Sequence, residues 1–332
     1  MTTTTHTAQP TRRARTLPAH RLNEIGLVVA IVLLYIVLGL SAAGFVSLDN
    51  QLGMLRDAAT IGIAAWGVTL VIIAGEIDIS IGPAVAFSSV LVALGSSQWG
   101  LGLAGAIVLT LVVGTAAGAL AGWLRAEFGV PTFIGTLGLW SVFGGLGLYL
   151  TDALPVVLPE SGFLDVMGGS ILGIPTAALV MVVLLLVFVY IAKYTSYGRS
   201  VYAIGGNAAA AELAGINLKR VRVLLFATTG FLAAITGILL AARLGAGSGS
   251  AASGLEFDVI AAVVIGGTAL AGGRGSLLGT FLGVIFITVI GNGLVLLGVN
   301  SFLQDVIRGV IIVGAVLVNV WAGRRSNTTR TS

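Results

Sequence analysis

Two carboxylates interrupt an otherwise apolar stretch of the sequence. Residues 75–83 read Gly-Glu-Ile-Asp-Ile-Ser-Ile-Gly-Pro and lie between two apolar runs. Because ionised carboxylates are costly in hydrocarbon, Glu76 and Asp78 are expected to face a cavity, a partner or the membrane surface. A helix break bounded by glycine is one way in which transporters expose backbone dipoles to a pathway. A loop at the membrane surface explains the segment equally well, so both interpretations stay open.

A second pair of carboxylates repeats this pattern. Glu256 and Asp258 also follow a glycine and precede an apolar run. The repeat is consistent with an inverted repeat that relates the two halves of the chain, although coincidence is the simpler explanation. Further along, Asp305 and Arg308 share one face of a helix and can neutralise each other.

A polar segment at residues 193–221 is the second candidate for function. Asn207 can cap a helix and Gly215 can end one in a left-handed conformation. The residues between them favour helix, which predicts a short, exposed helix that fits a groove on a partner. The alternative is a surface turn, but a connector needs only about 2–8 residues. The candidate docking residues are Gly205, Gly206, Asn207, Ala210, Glu212, Leu213 and Gly215.

The other recurrent small and polar residues have simpler interpretations. Gly114, Gly118 and Gly122 recur at four-residue spacing, which is typical of close helix packing in membranes. Thr132 and Thr136 can bond back to their own helix or line a polar passage, and the first is the commoner role.

The sequence lacks the residues of several kinds of catalytic site. A phosphate-binding loop ends in Gly-Lys-Ser or Gly-Lys-Thr, but the two lysines follow Ala192 and Leu218. Cysteine is absent, and the two histidines, His6 and His20, lie near the N-terminus. The chain is therefore not expected to hydrolyse ATP, bind a catalytic metal or act as a membrane enzyme. A stand-alone secondary transporter or channel that uses Glu76 and Asp78 stays open.

Composition indicates whether these residues belong to a soluble protein or to a membrane protein. Of 332 residues, 57% are hydrophobic and 9% are charged, against about 25% charged in soluble domains. Too few polar groups are present to cover a soluble globule of this size. The composition excludes a soluble enzyme, a disordered protein and a nucleic-acid-binding module, and it predicts an integral membrane protein.

The apolar segments predict an all-α, polytopic membrane protein with about ten transmembrane helices, give or take one or two. The expected spans are 25–44, 58–74, 79–97, 101–124, 130–151, 176–192, 222–243, 257–272, 276–298 and 304–322. We expect a disordered basic cytoplasmic tail at 1–22, a membrane domain at 23–323 and a cytoplasmic tail at 324–332.

The distribution of basic residues predicts the orientation. If the N-terminal tail is cytoplasmic, fourteen of the Lys and Arg residues fall on the cytoplasmic side and three on the outside. An excess of Lys and Arg marks cytoplasmic connections. Both termini are therefore expected in the cytoplasm.

Several of these blocks resemble those of a known family, the permease subunits of bacterial ABC importers for ribose, xylose, arabinose and related sugars. Residues 75–82 are similar to its Gly-Gly-Ile-Asp-Leu-Ser-Val-Gly stretch, and residues 130–138 to its Val-Pro-x-Phe-Ile-x-Thr-Leu-Gly. Further similar blocks cover residues 202–207, 213–217, 261–268, 270–275 and 292–294. Glu76 departs from the commoner glycine, and Ala208 from a commoner larger or acidic residue.

The resemblance implies a bacterial inner-membrane permease that works with cytoplasmic ABC ATPase subunits, an extracytoplasmic sugar-binding protein and a second permease copy or paralogue. ATP and Mg²⁺ would bind to the ATPase, and no cofactor to this chain. The segment around residues 207–215 would couple the two. Neutral polyols favour hydroxyl, amide and aromatic contacts, so the candidate pathway residues are Asp78, Ser80, Thr132, Phe133, Thr136 and Asn292.

Overall fold

The computed structural model describes the backbone of residues 19–328 and the side chains of residues 23–317. The helices are α1 (Ala19–Ser41), α2 (Leu48–Ile73), α3 (Ile81–Ser97), α4 (Gly102–Phe128), α5 (Thr132–Tyr149), α6 (Gly162–Gly168), α7 (Thr176–Tyr194), α8 (Ser196–Gly206), α9 (Ala208–Leu213), α10 (Leu218–Leu244), α11 (Leu255–Ile265), α12 (Leu277–Leu296) and α13 (Ser301–Thr328). The two-residue strands are β1 (Val156–Val157), β2 (Ser170–Ile171), β3 (Ile174–Pro175) and β4 (Ala246–Gly247).

Within the described part of the chain, seven helices are long and apolar enough to cross a membrane, namely α1, α2, α4, α5, α7, α10 and α12. This confirms a helical, polytopic membrane protein. Each of the ten apolar segments overlaps a helix, but α11 has only 11 residues. A helix of that length extends about 16 Å, roughly half of the hydrocarbon thickness. The expected number of about ten complete crossings therefore stays a prediction.

Helix α2 lies at the centre of the bundle. Its residues from Ala58 to Ile73 are nearly all buried, and Trp66 is completely buried. A helix that is apolar on all sides is stable only where other helices surround it. By contrast, α1 and α4 expose most of their apolar side chains, as helices that face lipid do.

Glycines bring helix backbones into direct contact, as their spacing predicts. A Cβ atom at Gly114 would lie 2.8 Å from the carbonyl oxygen of Gly230, and one at Gly118 would overlap that of Phe226. Helices α4 and α10 therefore meet backbone to backbone along several turns. In α12, Gly283 contacts Ala262 of α11 in the same way, and Gly279 contacts Gly266 just after α11.

The bundle has two chemically different ends. At the basic end, α4 and α7 finish and α10 begins, and Lys219 pairs with Glu127 at 2.8 Å. At the hairpin end, β2 pairs with β3, β1 pairs with β4, and Arg243 pairs with Asp57 at 2.8 Å. We use these two names below.

The segments between the spans hold more structure than the sequence indicated. Residues 193–221 contain two helices, α8 and α9, where we expected one. Helix α1 begins at Ala19, inside the segment predicted as a tail, and α13 continues to Thr328. The rest of the predicted tails, residues 1–18 and 329–332, lie outside the described residues.

Candidate functional site

The backbone is broken between α2 and α3. Gly75 takes a left-handed conformation, with φ +78°, and the chain then has no regular secondary structure until Ile81. The freed amides of Ile77 and Ile79 donate to the hydroxyls of Thr132 and Thr136, each at 3.3 Å. Two threonines on α5 therefore hold the helix break, defined here as residues 74–80, in its non-helical form.

Glu76 in this break is buried between two arginines. Its Oε1 atom lies 3.0 Å from Nε of Arg125 and 2.9 Å from Nε of Arg222. The hydroxyl of Thr132 donates to Oε2 at 3.0 Å. The carboxylate is only 5% exposed, and its charge is balanced by the guanidinium groups. This contact connects the break to the ends of α4, α5 and α10.

Asp78 is buried as well, but it is held by neutral donors. One oxygen accepts from the amide and hydroxyl of Ser80, at 2.9 and 2.7 Å, and the other from the hydroxyl of Thr229 at 2.9 Å. The carboxylate lies at the N-terminus of α3, where the helix dipole favours negative charge. Beside it is a cavity of about 20 Å³, lined by Asp78, Ser80 and Thr229, among others. That is room for about one water molecule.

The second Glu-x-Asp pattern begins α11. Glu256 accepts a hydrogen bond from Nε1 of Trp140 at 2.9 Å and lies against Gly82 of α3. Asp258 pairs with Arg308 at 2.6 Å. In both patterns, one carboxylate is paired with arginine and the other lies at the N-terminus of a short helix. The predicted Asp305–Arg308 pair also forms, at 2.9 Å.

The structure brings together four of the six candidate pathway residues. Asp78, Ser80, Thr132 and Thr136 all belong to the helix break or contact it. Phe133 lies beside them with about half of its side chain exposed. Asn292 lies elsewhere, on α12, where its amide and that of Asn50 at the start of α2 bond to each other at 2.8 and 3.0 Å.

The candidate docking residues lie at the basic end. Asn207 accepts from the amide of Ala210 at 3.0 Å and caps α9, and Gly215 has φ +84°. Both local predictions are confirmed. Leu213 is 91% exposed, although it is apolar. Glu212 and Ala210 are also exposed, and Gly205 and Gly206 form the last turn of α8.

Helix α8 anchors this segment to the bundle. Val201 and Ile204 are buried, and the hydroxyl of Tyr202 donates to the carbonyl of Gly275 at 3.0 Å. Burial raises the pKa of the Tyr202 hydroxyl above its ordinary value, so the group stays protonated and keeps donating. We call residues 196–215 the coupling segment, after the role that the family resemblance implies for residues 207–215.

Sequence reasoning missed the partners of the buried acids. Arg125 and Arg222 were counted only among the fourteen basic residues expected on the cytoplasmic side, yet they neutralise Glu76. No sequence signal pointed to Trp140 as the partner of Glu256. The described residues contain no group of His, Cys, Asp and Glu that could hold a metal ion.

Comparison with known proteins identifies a family model and several relatives that are similar to this chain. A family model described as the permease component of branched-chain amino acid transport systems matches residues 50–316. The probable ABC transporter permease protein YphD of Escherichia coli is 60% identical, with 94% of each chain covered.

Two further relatives carry more specific names. The ribose import permease protein RbsC of Bacillus subtilis is 39% identical, with 90% of this chain and 93% of that protein covered. The xylose transport system permease protein XylH of Escherichia coli is 33% identical, with 85% and 87% covered. No solved structure matches the chain significantly. The chain belongs to the family of ABC transporter permeases that this model and these relatives represent.

Proposed function

We propose that this chain is the membrane permease subunit of an ATP-driven, binding-protein-dependent importer of a monosaccharide. The observation that carries the proposal is the similarity to a ribose import permease along nine-tenths of the chain. The similarity to a xylose permease supports the same substrate class. A permease is a transporter subunit rather than an enzyme, and the sequence has no phosphate-binding loop. ATP hydrolysis therefore belongs to a separate chain.

The two ends of the bundle suit different partners. The basic end carries the excess of Lys and Arg that marks the cytoplasmic side, so we place both termini and the coupling segment in the cytoplasm of a bacterium. There the exposed α9 would contact an ABC ATPase, which binds ATP and Mg²⁺. An extracytoplasmic sugar-binding protein would meet the hairpin end, and a second permease copy or paralogue would complete the assembly in the inner membrane.

The helix break is the proposed wall of the pathway. Hydroxyls of Ser80, Thr132 and Thr136 lie next to a backbone that has left helical geometry. Neutral polyols bind through such groups without requiring a charged site. The cavity beside Asp78 holds no more than about one water molecule, so the pathway is closed here. Transport then requires a second state in which these helices separate.

A stand-alone secondary transporter is less well supported. Such a protein would need a carboxylate in the membrane that is free to exchange an ion. Glu76 is instead neutralised by Arg125 and Arg222. Of the two acids that this alternative was expected to use, only Asp78 has no arginine partner.

Reconstituted transport tests the proposal. We expect vesicles that hold the permease, its ATPase and a loaded binding protein to take up radiolabelled ribose or xylose only when ATP is supplied. An ATPase variant unable to hydrolyse ATP is the control. Uphill uptake by the permease alone would refute the proposal. ATP-dependent uptake of a branched-chain amino acid in place of every monosaccharide tested would assign the other substrate class.

A further inference from the structure

We infer that Gly205 positions the coupling segment against the end of α2 and the loop before α12, immediately beside the helix break, and that ATP-driven movement of the segment reaches the break through this contact. The inference rests on the proposed function, because it assumes an ATPase that acts on α8 and α9. It concerns how the break is moved, and no docking partner beyond those already proposed is needed.

The contact at Gly205 is made by backbone atoms. A Cβ at this position would overlap the carbonyl oxygen of Ile73 and lie 2.5 Å from the amide nitrogen of Gly273. That amide in turn donates to the carbonyl of Ile73 at 2.8 Å. The last turn of α8, the last residue of α2 and the loop before α12 therefore meet without any side chain between them. Backbone cannot move aside as a flexible side chain does.

A second glycine extends this junction to the break. Gly272 has φ +84°, and a Cβ there would lie 3.0 Å from the carbonyl oxygen of Gly205 and 3.0 Å from Cα of Gly75. Gly75 is the left-handed residue of the break, and the chain after it has no regular secondary structure until α3. Movement of α8 is therefore expected to displace the start of the break.

The break passes the displacement on to three further helices. Its amides bond to Thr132 and Thr136 on α5, and Glu76 pairs with Arg125 on α4 and Arg222 on α10. An uninterrupted series of direct contacts thus leads from the coupling segment to the hydroxyls proposed to line the pathway. Packed elements of this kind can carry coupling between distant sites.

Gly26 provides a control for Gly205. Each residue lies within a helix, Gly26 in α1 and Gly205 in α8, so alanine raises helix propensity at both positions. A Cβ at Gly26, unlike one at Gly205, would meet no atom within 4 Å, and α1 carries none of the candidate docking or pathway residues. A loss of coupling in Gly205→Ala that is absent from Gly26→Ala therefore reports the contact with Ile73 and Gly273.

The test uses the assembled transporter in vesicles. Because the sequence has no cysteine, Ile77→Cys gives a single thiol in the break, and N-ethylmaleimide measures its accessibility with and without ATP. With Gly26→Ala we expect normal sugar uptake and an ATP-dependent change in labelling rate. With Gly205→Ala we expect the ATP-dependent uptake of sugar and the ATP-dependent change in labelling rate each to be about tenfold smaller. The ATPase should still co-purify.

The outcomes separate this inference from the proposed function. Normal uptake and an unaltered labelling response in Gly205→Ala overturn the inference, as does a thiol in the break that never responds to ATP while sugar is taken up. If neither the variants nor the unmodified chain shows ATP-dependent uptake, the result counts against the proposed function instead. If Gly205→Ala fails to fold, Tyr202→Phe decides, since it removes only the bond from α8 to Gly275. We expect reduced coupling there, and unchanged coupling overturns the inference.

Discussion

Glu76 is a single buried acid that faces two guanidinium groups. Arg125 and Arg222 keep 29% and 16% of their side chains exposed, whereas Glu76 keeps 5%. The acid therefore depends on the arginines for its charge balance more than each arginine depends on the acid. Loss of the acid would leave two cations close together, with water reaching only part of each.

We expect Glu76→Gln to lower the stability of the protein. Breaking a fully buried ion pair costs about 3–5 kcal/mol, and the partial exposure of the arginines reduces this to about 1–3 kcal/mol. Thermal unfolding in detergent measures the effect. The control is Asp57→Asn at the hairpin end, which breaks an exposed pair with Arg243 and should cost about 0–1 kcal/mol. Equal and small losses in both variants would contradict the role of Glu76.

Thr136 gives a second test at the scale of single residues. We expect Thr136→Val to destabilise the break by about 1–3 kcal/mol, because the amide of Ile79 loses its acceptor. Hydrogen exchange at that amide should become faster, and Thr136→Ser should restore slow exchange. Thr115→Val is the control, since the hydroxyl of Thr115 bonds only to its own helix at Leu111. Unchanged exchange in Thr136→Val would show that the amide has another acceptor.

Single residues differ in how far the sequence could predict their roles. Asn207 and Gly215 were predictable, because a cap and a left-handed terminus depend on a few neighbouring residues. The partners of Glu76 lie 49 and 146 positions along the chain, and only the packing of α4 against α10 brings them to one carboxylate. No local pattern holds that information.

Among the elements, the short helices α8 and α11 were harder to predict from the sequence than the complete spans. The apolar stretch predicted as the span 257–272 is interrupted where Gly267 and Gly272 take positive φ angles, so that α11 ends at Ile265. Hydropathy alone could not show this, because a buried turn can be as apolar as a helix. Similarly, α8 was missed since its composition is that of an ordinary polar connection.

The proposed docking role of α9 gives a prediction at this scale. Gly215→Val places a β-branched residue at φ +84°, which costs about 1–3 kcal/mol in backbone strain. We expect ATPase activity to become independent of loaded binding protein, while membrane insertion stays normal.

Gly44→Val is the matched control for this variant. Gly44 has φ +79°, and both glycines would offer a new Cβ open space. Strain is therefore similar, but Gly44 lies between α1 and α2, away from the coupling segment. Loss of coupling in both variants, or in neither, would argue against the docking role of α9.

For the molecule as a whole, composition was sufficient to assign the class. A chain with 57% hydrophobic and 9% charged residues has to be surrounded by lipid. The helical, polytopic fold followed from the same pattern. The number of complete crossings stays a prediction, because α3 and α11 start inside the bundle, where their N-termini meet at Gly82 and Glu256.

The orientation of the whole molecule can be tested with single thiols. Leu172 is 98% exposed at the hairpin end, and Lys219 is 62% exposed at the basic end. In intact cells, we expect an impermeant maleimide to label Leu172→Cys and to spare Lys219→Cys. After permeabilisation both should react, which controls for thiol reactivity. The reverse pattern in intact cells would place the basic end outside.

The glycine contacts between α4 and α10 restrict how the protein can change shape. Where two backbones touch at Gly114, Gly118 and Gly230, a relative slide of one residue would drive a side chain into a carbonyl group. The two helices are therefore expected to move together as one rigid body. Arg125 and Arg222, one from each helix, then keep a constant separation during the transport cycle. Any opening of the pathway has to occur at other helix interfaces of the bundle. The helix break lies next to this pair of helices, so the opening is expected there.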